Sequence, residues 1–227
     1  MIEAEKRDKI QLLGKQWNIH RLIAAKKSLK PDVFIAELDG EFIVAKDFRN
    51  KIWVARRIWG PLNVMYEKFI LQKLKGISGI PSFIGLEDYN CLLISHIDGD
   101  EIKKSSDNLN PDYFAGLFDI VSDIHKRGVL HLDIGHKSNI MVDQSGNPAI
   151  IDFNTSVYLP QNSFFSPLFR LLAKIDNTSI LRLKLRFRSQ ETTFSERQQV
   201  KRFLIIRKLW IFDKLSRRIT NISKKES

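Results

Sequence analysis

The chain has very little cysteine: Cys91 is the only one in 227 residues. An intrachain disulfide is therefore excluded, and a reducing compartment is the natural environment for the protein. Because Cys91 lies within an apolar run, we expect it in the core rather than as a nucleophile.

Long hydrophobic segments are missing as well. The longest apolar runs, such as Phe203–Ile206, have four residues, whereas a membrane-spanning helix needs about 20. The charged segment 1–9 lacks the apolar centre of a signal peptide. We therefore expect a cytoplasmic protein whose membrane contact, if it makes one, is peripheral and on the inner face.

Acidic residues are scarce in the last third of the chain. Residues 160–227 carry 16 basic and 5 acidic side chains and residues 1–159 carry 21 of each, so the net charge of +11 belongs to the C-terminal segment. Such a surface fits a membrane, an acidic acceptor or nucleic acid, and a solvated helical face is an equal alternative. Apolar and basic residues are interleaved along 195–220. A helix whose apolar face covers the core is the favoured interpretation of the apolar residues, and peripheral contact with an anionic membrane is a further interpretation that another face of the same helix could satisfy. Nucleic acid is the less favoured partner.

In the N-terminal half, two β-rich runs, Val33–Leu38 and Glu41–Lys46, flank an Asp-Gly dipeptide at 39–40. This dipeptide is typical of a two-residue hairpin, because the turn needs positive φ. Strand alternation then places Lys46 on one face with Val44. A lysine among apolar neighbours needs an anionic partner.

A helix is predicted over Leu62–Leu74, where apolar residues recur at helical spacing and Glu67 lies inside the run. Glu67 can therefore lie near the lysine strand. The Gly-Ile-Pro segment at 79–81 ends the helix, and Cys91–Ile97 is predicted as a buried strand followed by a turn at 98–100. The apolar positions of the helix include Val64, Phe69, Leu71 and Leu74.

The second half of the chain begins with a well-marked helix. Asn110 is a candidate N-cap, Pro111 fits the first helical position, and Lys-Arg-Gly at 126–128 ends the helix.

Beyond this helix, the runs 140–142 and 149–151 are predicted strands around a turn. Because the two ends of a hairpin lie side by side, Asn139 and Asp152 are expected to be neighbours.

Five side chains form a set suited to phosphoryl transfer, which asks a protein mainly for positioning and charge neutralisation. Lys46 would hold the α- and β-phosphates of ATP, oriented by an ion pair with Glu67. Asn139 and Asp152 would hold Mg²⁺, and Asp133 would accept or orient the proton of the attacking hydroxyl.

Binding of the base and contact with the transferred phosphate need further groups. Main-chain groups of Ser95, His96 and Ile97, at the end of a strand, are candidates for binding adenine. Val44 is a candidate for covering the base. Lys137 is a candidate for reaching the transferred phosphate, with simple solvent exposure as an equal alternative.

These motifs, in this order, resemble the protein-kinase-like superfamily over about residues 30–155. The Val-Ala-Lys run at 44–46 matches the strand lysine motif, and Glu67 matches the helix glutamate. The His-Leu-Asp run at 131–133 matches the catalytic loop, and Asp-Phe-Asn at 152–154 matches the magnesium motif. The segments at 56–74, 79–81 and 181–187 look like small bacterial kinases, similar to lipopolysaccharide core (Kdo/heptose) kinases and RIO-type kinases.

The resemblance implies an α+β, minimal two-lobed protein-kinase-like fold, with an antiparallel-sheet N-lobe containing one main helix and a reduced helical C-lobe. Residues 1–99 would form the N-lobe including the hinge strand. Residues 100–227 would form the C-lobe with the catalytic loop and basic C-terminal helices. Helices are predicted over Phe164–Ala173 and Ser179–Phe187, and again from near Ser195.

Several positions depart from the kinase pattern. No glycine-rich loop precedes Val33, and Asn139 follows the catalytic aspartate by six residues, one more than in ordinary protein kinases. Leu132 replaces the arginine that clamps a phosphorylated activation loop in many kinases, so regulation by that route is not expected. Asn154 replaces a glycine, and asparagine tolerates left-handed backbone. No peptide-docking lobe follows, which implies a compact acceptor site.

The leading hypothesis is an ATP- and Mg²⁺-dependent kinase that transfers the γ-phosphate to a hydroxyl of a saccharide or glycolipid such as lipopolysaccharide core. One alternative is a RIO-like Ser/Thr protein kinase. Another is a pseudokinase or scaffold that binds membrane or RNA through its basic C-terminal region.

Overall fold

The computed structural model describes residues 9–24, 29–105, 109–160 and 164–205. Its N-terminal part is a six-stranded antiparallel sheet with the strand order β1-β2-β3-β4-β6-β5. The strands are β1 Lys9–Leu12, β2 Lys15–Ala24, β3 Asp32–Leu38, β4 Glu41–Asp47, β5 Phe83–Asp88 and β6 Cys91–Ser95. The predicted Asp-Gly hairpin between β3 and β4 is present. The two strands pair antiparallel, and both turn residues have positive φ.

Strand β4 separates two apolar layers. Ile43 and Ala45 pack on one side of the sheet with Trp17. Val44 packs against the main core on the other side, and Lys46 shares that face by alternation. The lysine therefore enters the interior and is only 7% exposed.

A π-helical turn, Ala55–Trp59, leads into α1, Gly60–Lys73. The predicted helix is confirmed, but Phe69 is 38% exposed and Ile70 is fully buried in its place. The reason is that the face of α1 toward the sheet passes through Glu67, which is 2% exposed. The other buried apolar residues on or next to α1 are Val64, Leu71 and Leu74.

The C-terminal part combines helices with short strands. β7 pairs with β9 and β9 with β10, while β8 pairs with β11. A short 3₁₀ turn, Lys137–Asn139, precedes β9, and helical backbone also covers 194–205. The elements are β7 Gly99–Glu101, α2 Tyr113–Lys126, β8 Val129–Leu130, β9 Ile140–Asp143, β10 Pro148–Ile150, β11 Val157–Tyr158 and α3 Ser166–Phe187.

Two local predictions are wrong. The expected turn at 98–100 is largely strand β7, because Gly99 pairs with Asp143 of β9. Asn110 does not cap α2, which begins at Tyr113. The side-chain amide of Asn110 is instead bonded to the turn between β9 and β10.

Helix α3 is continuous where the sequence predicted two helices, Phe164–Ala173 and Ser179–Phe187. The intervening residues include no glycine or proline, and the hydroxyl of Thr178 donates to the main-chain carbonyl of Lys174 at 2.6 Å. The helix therefore passes through this polar stretch. Of the predicted run from Ser195, the part beyond residue 205 lies outside the described residues.

One large buried cluster joins the sheet to the helices. It includes Leu92 of β6, Leu71 of α1, Leu117 of α2 and Ile180 of α3. Cys91 is fully buried on the other side of the sheet, as predicted, and burial raises the pKa of its thiol. Among the described helices, none combines the length and apolar character that crossing a membrane requires.

Asp176 of α3 fastens the loop that follows β8. Its carboxylate accepts hydrogen bonds from the main-chain N–H groups of His131 at 2.9 Å and Leu132 at 2.8 Å, and from the ring of His125 at 3.0 Å. Leu132 has a φ of 62°, a left-handed conformation that costs a non-glycine residue about 1 kcal/mol or more. The loop therefore depends on a buried carboxylate from a distant helix.

Gly99 supplies the first prediction. A Cβ added there would lie 2.2 Å from the carbonyl oxygen of Val142, which is backbone in a paired strand and has no room to move. We expect Gly99→Ala to lower the free energy of unfolding by about 2 kcal/mol, measured by urea denaturation. The control is Gly85→Ala, whose added Cβ meets only the exposed side chain of Leu13. Equal stability of the two variants would contradict the prediction.

Asp176→Asn supplies the second prediction. An amide has one acceptor oxygen in place of two, so at least one buried N–H of the loop loses its partner, and we expect a loss of about 2 kcal/mol in the free energy of unfolding. Asp123→Asn is the control, because Asp123 pairs only with Lys126 on the surface, and such pairs contribute little. A change no larger than that of the control would show that Asp176 does not hold the loop.

Candidate functional site

The candidate site is centred on the ammonium group of Lys46. Its Nζ lies 2.6 Å from Oε1 of Glu67 and 2.9 Å from Oδ1 of Asp152. Lys46 and Glu67 are buried, whereas the side chain of Asp152 is 46% exposed. The strand, the helix and the segment after β10 therefore meet at one cation, and the acidic side opens toward solvent.

Lys46, Glu67 and Asp152 each stabilise the charged form of an oppositely charged neighbour. Burial opposes the charge of Lys46, but Glu67 and Asp152 outweigh it and raise the pKa of the lysine. Burial raises the pKa of Glu67, while the contact with Lys46 opposes that rise. For Asp152, burial is outweighed by Lys46, which lowers the pKa of this carboxyl. Lys46 and Asp152 are therefore charged at neutral pH.

The segment after β10 has an unusual backbone. Asp152 has a φ of 67°, and the side-chain amide of Asn154 donates to its Oδ1 at 2.7 Å. Asparagine at 154 was expected to take the left-handed conformation in place of glycine, but that conformation occurs at Asp152. Phe153 is fully buried in the main core, and its backbone N–H stabilises the ionised Glu67.

Asp133 and Asn139 are in direct contact. The amide of Asn139 donates to Oδ2 of Asp133 at 2.8 Å and to its main-chain carbonyl at 3.1 Å. Two successive turns close the six-residue interval: the N–H of His136 donates to the carbonyl of Asp133, and the N–H of Asn139 donates to the carbonyl of His136. The longer spacing thus still brings the two side chains together.

The β9–β10 hairpin brings this loop next to the segment that carries Asp152. The main-chain N–H of Ile151 donates to the carbonyl of Asn139 at 2.9 Å. Asn139 and the residue before Asp152 are therefore bonded neighbours, as the hairpin predicts.

His131 connects the two segments from inside. It is fully buried, its Nδ1 accepts the N–H of Asp133, and its Nε2 therefore donates to the carbonyl of Ile151 at 3.2 Å. Burial lowers the pKa of His131, so the ring is neutral at pH 7. Its edge-to-face contact with Phe153 adds packing. These contacts indicate a structural role for His131.

Lys137 lies in the 3₁₀ turn of the same loop and is partly exposed. Partial burial, together with the nearby charges of Arg186 and Lys103, lowers its pKa. Arg182 of α3 also approaches the loop, 3.7 Å from the position of a Cβ on Gly135. Lys137 therefore has the cationic neighbours Arg186 and Lys103.

Of the main-chain groups expected to bind adenine, those of Ser95, His96 and Ile97, only some are free of bonds within the sheet. β6 ends at Ser95 rather than at Ile97. The N–H of Ser95 donates to the carbonyl of Ser82 at 2.9 Å, so it is already engaged. His96 and Ile97 follow the strand and take no part in its ladder. Val44 is partly buried against the core on the same face as Lys46.

The donor set fits Mg²⁺. Among the described residues no cluster of three or more His, Cys, Asp or Glu side chains forms a metal site. Mg²⁺ is, however, commonly held by one or two protein oxygens together with substrate phosphates. Asp152 supplies a half-exposed carboxylate, and Asn139 an amide oxygen. A metal there would therefore need a bound nucleotide to complete its coordination.

Sequence reasoning missed Asp176, although a signal was present. Asp176 lies at helical spacing with the buried residues Phe169, Ile180 and Leu183, just as Glu67 lies among the apolar residues of α1. A carboxylate within an apolar helical stripe is costly to bury alone and so indicates a specific partner. The partners here are main-chain N–H groups, and no motif of side chains in the sequence predicts them.

Comparison with known proteins gives no match to a family model and none to a curated protein sequence. Among solved structures, the chain is similar to a Rio2 kinase from Chaetomium thermophilum, determined as an ADP/Mg²⁺–phosphoaspartate complex. The TM-score is 0.54 at 19% sequence identity, covering 80% of this chain. A BubR1 kinase domain gives a TM-score of 0.49 at 15% identity, covering 76% of this chain and 62% of that one.

This chain covers 60% of the length of the Rio2 structure. The fold class expected from the sequence is confirmed. The chain has a protein-kinase-like fold of the minimal α+β kind, with an antiparallel-sheet N-lobe, one main helix in it and a reduced helical C-lobe.

Proposed function

We propose that the protein is an ATP- and Mg²⁺-dependent phosphotransferase that transfers the γ-phosphate to an acceptor hydroxyl. The observation that carries this proposal is the bridge from Lys46 to both Glu67 and Asp152. A purely structural ion pair would be satisfied by Glu67 alone. The second, half-exposed carboxylate gives the cluster an open side where phosphate oxygens and a cation fit.

Each residue has a separate role in this proposal. Lys46, oriented by Glu67, contacts the nucleotide phosphates, and Val44 covers the base next to His96 and Ile97. Asn139 and Asp152 hold Mg²⁺, which when bound neutralises phosphate charge. The main-chain N–H of Ser95 already donates to the carbonyl of Ser82. This N–H is therefore not available to adenine.

Asp133 orients the acceptor and takes its proton. Its carboxylate is held by the amide of Asn139, so the direction of its second oxygen is fixed before substrate arrives. Such preorganisation reduces the entropy cost of bringing the hydroxyl to the phosphate. Lys137 reaches the transferred phosphate from the same loop.

The acceptor we favour is an anionic saccharide or glycolipid such as lipopolysaccharide core. The positive charges of Lys103, Lys137 and Arg186 near the catalytic loop support an acceptor that carries phosphate or carboxylate. Residues 1–99 would act as N-lobe and 100–227 as C-lobe of a cytoplasmic enzyme at the inner face of a membrane. Exposed Lys201, Arg202 and Ile205 support membrane contact through the segment 195–220, of which residues up to 205 are described.

The test is incubation of purified protein with γ-labelled ATP, Mg²⁺ and a fractionated cell extract. We expect label in a lipid or saccharide fraction. Asp133→Asn keeps the size of the side chain but removes the proton acceptor, so transfer should fall by at least about 100-fold, with ATP binding retained.

Asp119→Asn, an exposed change on α2, is the matched control and should leave transfer unchanged. Label found only in protein would replace the saccharide acceptor with the RIO-type alternative. No transfer to any fraction by a folded protein would instead favour a pseudokinase or scaffold.

A further inference from the structure

Helix α1 is apolar on two opposite sides, and only one of them is buried. Opposite the face of Glu67, six residues of α1 and of the π-helical turn before it are between 38% and 63% exposed. We call them the outer stripe. The outer stripe consists of Ile58, Trp59, Leu62, Met65, Tyr66 and Phe69. Two of them, Tyr66 and Phe69, are partly covered by contacts with Ser156 and Tyr158.

The apolar surface continues into the turn before the helix. Ile52 is 61% exposed and Trp53 is 63% exposed. A contiguous exposed apolar surface of this kind marks an interaction site. Isolated exposed aromatic residues elsewhere, such as Phe194, need no such explanation.

The charge beside this surface is positive. Arg56 and Arg57 are exposed and, with Asn90, line a cavity of about 220 Å³. In the described part of the chain neither arginine has a carboxylate as ion-pair partner. Residues 48–86 contain seven basic side chains and one acidic one, and that one, Glu67, is turned inward to Lys46. Of the acidic residues that flank this stretch, Asp47 is paired with Arg49 and Asp88 accepts the N–H of Asn90. An occupant that is both apolar and anionic fits this surface.

A second copy of the chain meets only half of this requirement. In a two-fold contact each surface packs on itself, which would place the arginines of one copy near those of the other. A bilayer with acidic headgroups meets both parts. Tryptophan and tyrosine favour the membrane interface, and arginine is attracted by anionic headgroups.

We infer that the outer stripe, together with Trp53, Arg56 and Arg57, docks on the surface of an anionic lipid bilayer. The cavity between the two arginines receives a headgroup phosphate, and the aromatic rings enter the boundary between headgroups and acyl chains. This surface differs from the segment 195–220 and does not depend on phosphate transfer. Membrane docking would act directly on the helix that carries Glu67.

The test is co-sedimentation of the full chain with vesicles, without nucleotide. We expect binding to phosphatidylcholine vesicles that contain roughly one-third phosphatidylglycerol, weakened by salt and much reduced on pure phosphatidylcholine. The double variant Trp53→Ser/Trp59→Ser should bind at least about tenfold more weakly. Arg56→Gln/Arg57→Gln should show a loss of similar size, because each basic residue near such a surface contributes roughly a fivefold effect.

Matched controls distinguish binding through this surface from nonspecific binding by exposed aromatic residues and from binding by net charge alone. Phe164→Ser/Phe194→Ser removes two rings that are 95% and 78% exposed elsewhere, and Arg21→Gln/Lys75→Gln removes the same charge from other exposed sites. Both should bind vesicles like the wild type, and circular dichroism should show all variants folded.

Wild-type vesicle binding by the folded Trp53/Trp59 double variant would overturn the inference. So would the absence of any vesicle binding by the wild-type chain. It would also be overturned if these tryptophans proved necessary only for a concentration-dependent dimer, or if Arg56 and Arg57 proved necessary only for RNA binding.

Discussion

The burial of the Lys46 ammonium group is the constraint on which the rest of the site depends. Strand alternation places this lysine on the core face of β4, and an unpaired buried cation would be very costly. At least one anion must therefore come to it from outside the sheet, and the structure brings two. Glu67 is brought by α1 and Asp152 by the segment after the β9–β10 hairpin. One charge thus fixes a strand, a helix and a loop relative to one another.

The loops around the site hold backbone strain that polar contacts keep in place. Leu132 and Asp152 both have left-handed φ values. The first is held by the carboxylate of Asp176, and the second by Asn154 and Lys46. Neutral His131, bonded between the two segments, keeps them in register. Backbone conformations of this kind persist only where surrounding contacts hold them, and here those contacts lie in the two segments that carry Asp133 and Asp152.

The sequence predicted the parts of the fold that follow from local chemistry. The Asp-Gly hairpin and the α1 helix with Glu67 depend on turn geometry and periodicity, and both are confirmed. The continuity of α3 and the strand character at Gly99 depend on partners far away in the chain. Asp176 acts on main-chain groups about 45 residues away, so helical spacing indicates its burial but not its partners. The roles of Asp133, Asn139 and Asp152 are predictions that biochemical measurement has to test.

The outer stripe of α1 is a further feature that the sequence alone did not predict. The sequence pattern over Leu62–Leu74 grouped Phe69 of the outer stripe with Val64, Leu71 and Leu74 of the core face, although Phe69 is 38% exposed and the other three are buried. Periodicity identifies a helix, but it does not say which face meets the protein and which meets a partner.

Calorimetric titration of the protein with ATP, with and without Mg²⁺, is the most direct measurement of whether the Lys46 cluster is a nucleotide site. The useful variants are Asp152→Asn and the double variant Lys46→Met/Glu67→Gln, which removes the buried charges together. We predict that the wild type binds ATP more tightly with Mg²⁺, that Asp152→Asn abolishes this difference, and that the double variant binds at least about tenfold more weakly. Equal ATP binding by the wild type and both folded variants would contradict the assignment of this cluster as a phosphate and metal site.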